Sequence, residues 1–354
     1  MAEIDALLKG MLDNDGSDLH LAVGSVPKIR ASGAMQPLTN EPVTAKQMAK
    51  LLSQITNETR WNHYLETRDL DLAYEIKGLA RFRGSFFYNH WGQAAVFRQI
   101  PAEILSFDTL KLPEVLRDVC AYKEGLVFVT GPTGSGKSTT LAAMIDYINE
   151  NYQKHIITIE DPIEFVHPKK KSVIVHREVG EHSGSFANAL RGAMRADPDI
   201  ILVGEMRELE TIKLALGCAS MGMLVFGTLH TNNAPKTVDR IIDAFPAEEQ
   251  GQIRIMLAGC LSCVVSQLLC KKVPKGRVAV HEILLKHDAL PNTIRSGRTS
   301  AIRGIIESSM AQGMTMMDFS IKKQLEAGNI TGNEAYMKAA DKEAFKQYLD
   351  DPVV

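Results

Sequence analysis

The stretch "GPTGSGKSTT", residues 131–140, sets Gly131, Gly134 and Gly136 ahead of Lys137 and Ser138. It fits the spacing G-x-x-x-x-G-K-[ST], follows the apolar run "GLVFVT" and precedes the helical pattern "LAAMIDYINE". Residues of these types do phosphate chemistry. Glycines let backbone N–H groups curl around phosphate oxygens without Cβ clashes, and Pro132, Thr133, Ser135 and Thr139 complete the turn. Lys137 can reach the β and γ phosphates of a nucleotide, the Ser138 hydroxyl can hold Mg²⁺, and the helix N-terminus favours the anion. ATP and Mg²⁺ are the cofactors this loop implies.

Hydrolysis also needs a group for the attacking water. "DIILVGEMR", residues 199–207, is an apolar strand pattern closed by Glu205. Gly204 cannot bind metal, so Mg²⁺ would rest on Ser138, phosphate oxygens and water, leaving Glu205 to orient or deprotonate the nucleophile. A second acidic group, Glu160, Asp161 and Glu164 in "TIEDPIEFVH", follows the strand pattern "HIITI", and Pro162 turns the chain there. Such a cluster is ordinarily a solvated turn. Two acid-bearing strand ends beside a phosphate loop favour a role in polarising water or holding hydrated Mg²⁺. "FGTLHTNNAPKTVDRII" adds His230 at a further strand end and Arg240 ten residues on. Spacing alone leaves His230 open between a structural role and a sensor of the γ phosphate.

Elements that position these groups follow from the hydrophobic pattern. "EIDALLKGMLDNDG" has helical spacing and a turn signal at its end. "DLDLAYEIKGLARFRGSFFYNHWGQAAVFRQIP" reads as three strands, with turns near Lys77-Gly78 and Trp91-Gly92. Arg81 and Arg83 fall on one face and Arg98 closes the last strand; taken alone, alternation of this kind marks a solvated sheet face. The first hundred residues thus form a small α+β domain, and Pro101 and Pro113 mark a junction over about 101–113. Beyond it, "GLVFVT", "HIITIE", "SVIVH", "DIILVG", "MLVFGTLH" and "GRVAVHEILL" alternate with helical segments. Several are apolar on both faces, which predicts a mostly parallel sheet covered by helices, then a helical tail from about residue 290.

The 354 residues suffice for two or three domains, and 40 basic residues nearly balance 42 acidic ones. That balance argues against bulk binding to nucleic acid or an anionic membrane. Lys169–Lys171 is the one basic run, read as a solvated loop. Five cysteines without disulfide spacing fit a reducing compartment. Within "CLSCVVSQLLC", Cys260, Cys263 and Cys270 lack the second C-x-x-C of a zinc site and read as core thiols at helical spacing. The acidic, amphipathic start is not a signal peptide. The charge-free stretches 214–229 and 255–270 fall short of the roughly 20 residues a membrane span needs. A cytoplasmic protein is expected.

Together the quoted stretches resemble the secretion and pilus ATPase superfamily, most closely its PilT type. "GPTGSGKSTTLAAMIDYIN" resembles the Walker A segment of that family and "ITIEDPIEFVH" its Asp box. "RADPDIILVGEMRELETI" resembles its Walker B, which ends in Gly-Glu, and "GTLHTNNAPKTVDRIIDAFP" its His box. "GSDLHL", residues 16–21, matches its N-terminal pattern, and the resemblance runs from about residue 3 to about 330. It implies an α/β fold, a RecA-like P-loop ATPase domain at 114–354 behind a PAS-like domain at 1–100, assembled as a homohexamer with ATP between the two domains of a subunit. Carried over, Arg81, Arg83 and Arg98 stand at the family's nucleotide-directed arginine positions, which replaces the solvated-face reading. Glu205 becomes the catalytic base, Glu160, Asp161 and Glu164 support metal and water, and His230 senses the γ phosphate.

Pilus-extension relatives carry a further N-terminal domain and a tetracysteine zinc insertion, and this chain shows neither, which favours pilus retraction. The implied partner is the inner-membrane pilus platform protein, with no nucleic acid. One stretch departs from the pattern. Where the retraction type has A-I-R-N-L-I-R-E-G-K, residues 289–298 read "ALPNTIRSGR", with Pro291, Thr293 and Ser296 for Arg, Leu and Glu. Proline is tolerated in a first helical turn, so a helix either starts at Pro291 or is displaced. The departure keeps open an accessory role beside a homologous retraction ATPase, or a place in a related secretion or pilus system.

Overall fold

Ile4, Leu8 and Met11 recur along one side of residues Ile4–Asp13, and burying that stripe makes the segment a helix. It packs with an antiparallel sheet in which β1 (Gly16–Ala22), β2 (Lys28–Ala31), β3 (Ala34–Pro37), β4 (Asp69–Ile76), β5 (Ala80–Asn89) and β6 (Gly92–Ile100) take the order β3-β2-β1-β6-β5-β4. Helices Ala45–Ser53 and Glu58–Thr67 follow β3, each capped by a side chain, Thr44 and Asn57 respectively. The core holds Phe82, Phe86 and Phe97, all fully buried, each worth about 1.5–3 kcal/mol of burial. The hairpin strands β4–β6 lie where the alternation put them. The sequence reading had left β1–β3 and the two capped helices unassigned.

The computed structural model describes residues 2–31, 33–100 and 103–349; Pro101, one of the junction markers, lies outside them. The chain divides into two units. The first runs to Glu103 and also takes in Asp161–Val166 and Glu178–His182; the second holds Ile104–Glu160, His167–Arg177 and the chain from Ser183 on. Two stretches assigned by pattern to the ATPase domain therefore cluster with the first hundred residues. A buried ion pair and buried apolar side chains, Ile163 and Phe165, accompany this grouping. Arg60, buried on the helix Glu58–Thr67, pairs with buried Glu178 at 2.9 Å, and Glu178 accepts the Ile163 N–H at 3.2 Å.

The second unit is built on β7 (Gly125–Thr130), β8 (His155–Glu160), β9 (Val173–Glu178), β10 (Ile200–Val203), β11 (Leu224–Leu229), β12 (Leu261–Lys271) and β13 (Arg277–Leu285), in the order β13-β12-β7-β11-β10-β8-β9. Strands β12, β7, β11, β10 and β8 run parallel, and β13 pairs antiparallel with β12. β7 and β11 are buried at every position, as strands covered on both faces must be.

One sequence assignment is corrected here. "CLSCVVSQLLC" is not helical: the helix Ala247–Cys260 ends at its first cysteine and the rest is β12. A strand buried on both faces lacks alternation and mimics a helix interior. The thiols are nonetheless core groups, free and buried, and burial pushes those of Cys260 and Cys270 up to about 11. The departing motif forms the helix Leu290–Arg295, one residue ahead of Pro291, whose missing N–H falls in the first turn where no intrahelical partner exists. Beyond it, helices Met317–Glu326 and Gly332–Lys338 bury Met317, Ile321 and Ala335 against Cys270 and Val280 of β12 and β13. Among the described residues no helix is long and apolar enough to cross a membrane.

Candidate active site

Parallel strands deliver their C-terminal ends to one edge of the sheet, where open α/β sheets bind ligands. At that edge β7 ends in the phosphate loop, β8 in Glu160, β10 in Gly204-Glu205 and β11 in His230. Neighbouring registers make this a row: Thr130 pairs with Leu229, and Val203 pairs with both Gly227 and Ile159.

The loop is shaped by its glycines. Gly131, Gly134 and Gly136 take φ of +146°, +77° and +88°, conformations that a side chain resists. Helix Lys137–Asn151 opens directly after them. The Lys137 ammonium donates to the carbonyls of Gly131 and Pro132 at 2.9 and 3.1 Å, which folds it back over the loop. Pro132, Thr133 and Gly134 are exposed, Ser135 is buried, and Ser138 and Thr139 are half-buried in the first helical turn. A glycine cradle, a lysine and an accessible hydroxyl at a helix N-terminus fit a nucleotide triphosphate with Mg²⁺. Among the described residues no group of three or more acids, histidines or cysteines could hold a metal ion alone.

Glu205 and His230 meet. His230 Nε2 and Glu205 Oε1 are 2.8 Å apart, and because the carboxylate accepts, Nε2 carries the hydrogen. Arg207 Nε donates to the same Oε1. The chain is pinned on both sides of the carboxylate. Gly204 N–H donates to the Ile159 carbonyl at 2.8 Å and Met206 N–H to that of Thr228 at 3.2 Å. The Met206 side chain is buried where a Cβ on Gly227 would stand.

Gly204 has a steric reason. A Cβ there would lie 3.3 Å from Cα and Cγ of Glu160 and from the Ile159 carbonyl. Its place beside the sheet edge is taken by the neighbouring strand's own acid. The remaining predicted residues divide. Asp161 and Glu164 belong to the first unit, away in the partition from Glu160. Burial first, then the carboxylates of Asp71 and Glu178, raise the Asp161 pKa against the guanidiniums of Arg60 and Arg83. Arg83 and Arg98 are direct cross-strand partners on β5 and β6, a costly like-charge pair offset by Asp71, 3.1 Å from Arg83, and Asp18, 2.7 Å from Arg98. Arg81 stands on the same face two residues from Arg83, and its Nε and Nη1 are buried without a hydrogen-bond acceptor among the described residues. Arg240 is exposed in the last turn of the helix Ala234–Asp243, outside the Glu205–His230 contact.

Sequence reasoning missed the support beneath the site. Glu282 of β13 accepts the Ala234 N–H at 2.9 Å, holding the start of the helix that follows His230, and Asn233 caps that helix through Lys236 N–H at 2.9 Å. Ser266 of β12 shares a 2.8 Å hydrogen bond with Thr130 at the end of β7. The signal was present as polar residues inside apolar strands, which must find partners when buried.

Comparison with known proteins agrees with this geometry. Residues 2–304 match the family described as Type II/IV secretion system protein. The chain is 46% identical over 343 residues to the type IV pilus retraction ATPase PilT of Pseudomonas aeruginosa, covering 97% of this chain and 100% of that protein. It is 47% identical over 319 residues to a twitching motility protein of Neisseria gonorrhoeae, covering 90% of this chain and 85% of the relative. The crystal structure of the pilus retraction motor PilT with bound ADP superposes with a TM-score of 0.88 at 41% identity, over 97% of this chain and 98% of the other. A RecA-like P-loop ATPase fold with an N-terminal α+β unit is common to both. The chain therefore belongs to the type II/IV secretion system protein family, as a P-loop ATPase of its PilT type.

Proposed function

We propose that the chain works as a homohexameric motor at the cytoplasmic side of the inner membrane, hydrolysing ATP to retract a type IV pilus through a platform protein. The observation that carries this reading is the row of strand ends, with a phosphate loop, Glu160 and the Glu205–His230 pair on one sheet edge. Lys137 and the loop N–H groups bind the phosphates, Ser138 would hold Mg²⁺, and Glu205 takes the proton of the attacking water. Mg²⁺, when bound, offsets phosphate charge. His230 holds Glu205 in place and responds to the γ phosphate. Arg81, Arg83 and Arg98 act on the transferring phosphoryl group, a contact worth about 10³–10⁵ in rate in GTPases. The Arg81 guanidinium, whose Nε has only the Glu75 carboxylate at 3.9 Å and no hydrogen-bond acceptor among the described residues, supports that role.

Deletion of the gene is expected to abolish retraction under load while pili still extend; unchanged retraction force would reject the motor. Arg83→Ala is expected to lower kcat at least about 10²-fold with nucleotide affinity nearly unchanged. A normal kcat in steady-state phosphate release would return that sheet to a solvated face.

The altered helix favours a second reading. Replacing Arg and Glu of the retraction motif by Pro291 and Ser296 removes one charge of each sign and leaves its net charge unchanged, and Ser296 is exposed. In that reading the ring assists a homologous ATPase. Retraction reconstituted with this chain as the sole motor would exclude it.

A further inference from the structure

Strand β12 carries two adjacent polar residues, Ser266 and Gln267, between the apolar pairs Val264-Val265 and Leu268-Leu269. Both are buried, Gln267 to 2% exposure, so its amide must be satisfied from within. It is, at three points. Gln267 Nε2 donates to the Ser135 carbonyl at 2.7 Å. Its Oε1 accepts from Thr140 Oγ1 at 2.7 Å and pairs with His281 Nε2 at 3.1 Å. Burial pushes the His281 imidazole down to about 4, so the ring is neutral near pH 7 with its hydrogen on Nε2. The amide cannot usefully flip, because the Ser135 carbonyl accepts only.

Ser135 lies inside the phosphate loop, so this bond sets a peptide plane. In a planar trans peptide the C=O and the following N–H point opposite ways. With the Ser135 carbonyl turned toward β12, the Gly136 N–H is turned away from β12. Packing repeats the message. A Cβ on Gly136 would fall 2.8 Å from Gln267 Nε2, and one on Gly131 would overlap the Gln267 carbonyl oxygen. The loop is seated directly on this residue.

We propose that Gln267 is the positioning residue of the phosphate loop, its amide holding the Ser135 carbonyl so that the Gly136 N–H is presented to the phosphates of a nucleoside di- or triphosphate. The assignment rests on the ATPase reading and deepens it. Phosphate-loop recognition by backbone N–H groups depends on such orientation; Lys137 holds the Gly131 and Pro132 carbonyls, and the Gln267 amide holds that of Ser135.

Gln267→Glu in the full-length chain tests it, since the shape and Oε1 are kept while the donor becomes a carboxylate oxygen facing a carbonyl. The expected result is a Kd for fluorescent ADP raised about tenfold, and a KM for ATP raised in step, with kcat within a factor of about two. The melting temperature of the nucleotide-free protein is expected to fall as well, since an acid replaces a buried amide, so the affinity of the folded variant is the deciding readout. A folded Q267E that binds ADP within about twofold of the parent overturns the proposal. So does a lowered melting temperature with unchanged affinity, the signature of a role in packing only. Should Q267E not fold, Thr140→Val removes one of the two donors that hold Oε1. It is expected to weaken ADP binding about threefold, and unchanged binding overturns the proposal in the same way. A parent chain that binds neither ADP nor ATP would refute the ATPase reading itself, a result separate from any behaviour of the variants.

Discussion

Glu205→Gln is expected to bind ATP at least as tightly as the parent chain and to hydrolyse it 10²–10⁴-fold more slowly, about the weight of a general base. The geometry keeps the two effects apart. Glutamine retains an oxygen for the hydrogen bond from His230 Nε2, 2.8 Å away, and for that from Arg207. The strand end stays pinned by Gly204 and Met206 N–H groups, so the side chain changes and the backbone does not. In the proposed mechanism phosphate binding rests on the loop and on Lys137, which donates to the Gly131 and Pro132 carbonyls. Losing a carboxylate near a polyanion cannot weaken its attraction. What the proposed mechanism loses is the group that takes a proton from water. Both hydrogen bonds fall on Oε1, which leaves Oε2 for that task. Phosphate release at saturating ATP and equilibrium nucleotide binding are the measurements. Turnover within a factor of about three, under about 1 kcal/mol of barrier, would remove Glu205 from the role of base.

Arg60→Ala is expected to destabilise the first unit by about 3–5 kcal/mol, because it leaves the Glu178 carboxylate buried and unpaired. Arg60 and Glu178 side chains are 10% and 6% exposed and 2.9 Å apart. The guanidinium also approaches the carbonyls of Gly180 and Val179 at 3.4 Å. An alanine abandons all of these acceptors together. Both tryptophans, Trp61 and Trp91, lie in the first unit, so intrinsic tryptophan fluorescence during urea unfolding reports that unit alone. A double replacement of Arg60 and Glu178 by methionine should recover most of the loss, since exchanging a buried pair for apolar groups is often neutral. A single-variant loss below about 1 kcal/mol would show that water reaches Glu178 and that the pair is effectively a surface one.

How much of this could be read beforehand depends on the range of the interaction. The phosphate loop, the strand ending at Glu205 and the hairpin strands β4–β6 are local patterns, set by residues a few positions apart, and the structure holds them as strands and loop where they were read. His230 stood undecided on spacing; its contact with Glu205 crosses from β11 to β10 and needs the parallel register to appear. β12 was misread because burial on both faces erases the period that distinguishes strand from helix. Gln267 was hidden inside that same misreading. The Arg60–Glu178 pair joins residues 118 positions apart, and nothing local in "ETRWNHYLET" or "VIVHRE" points from one to the other.

The division of the chain has a consequence for inheritance by recombination. The polypeptide passes between its two units five times, after residues 103, 160, 166, 177 and 182. No single crossover can exchange the first unit for that of a relative. A hybrid cut near residue 103 would bring a foreign surface to meet the resident Glu178 and the resident acid loop, and would need an arginine at the equivalent of position 60 to accept them. Lineages of this ATPase are therefore expected to diversify the first unit and the two short segments 161–166 and 178–182 as one block, whatever their distance along the gene.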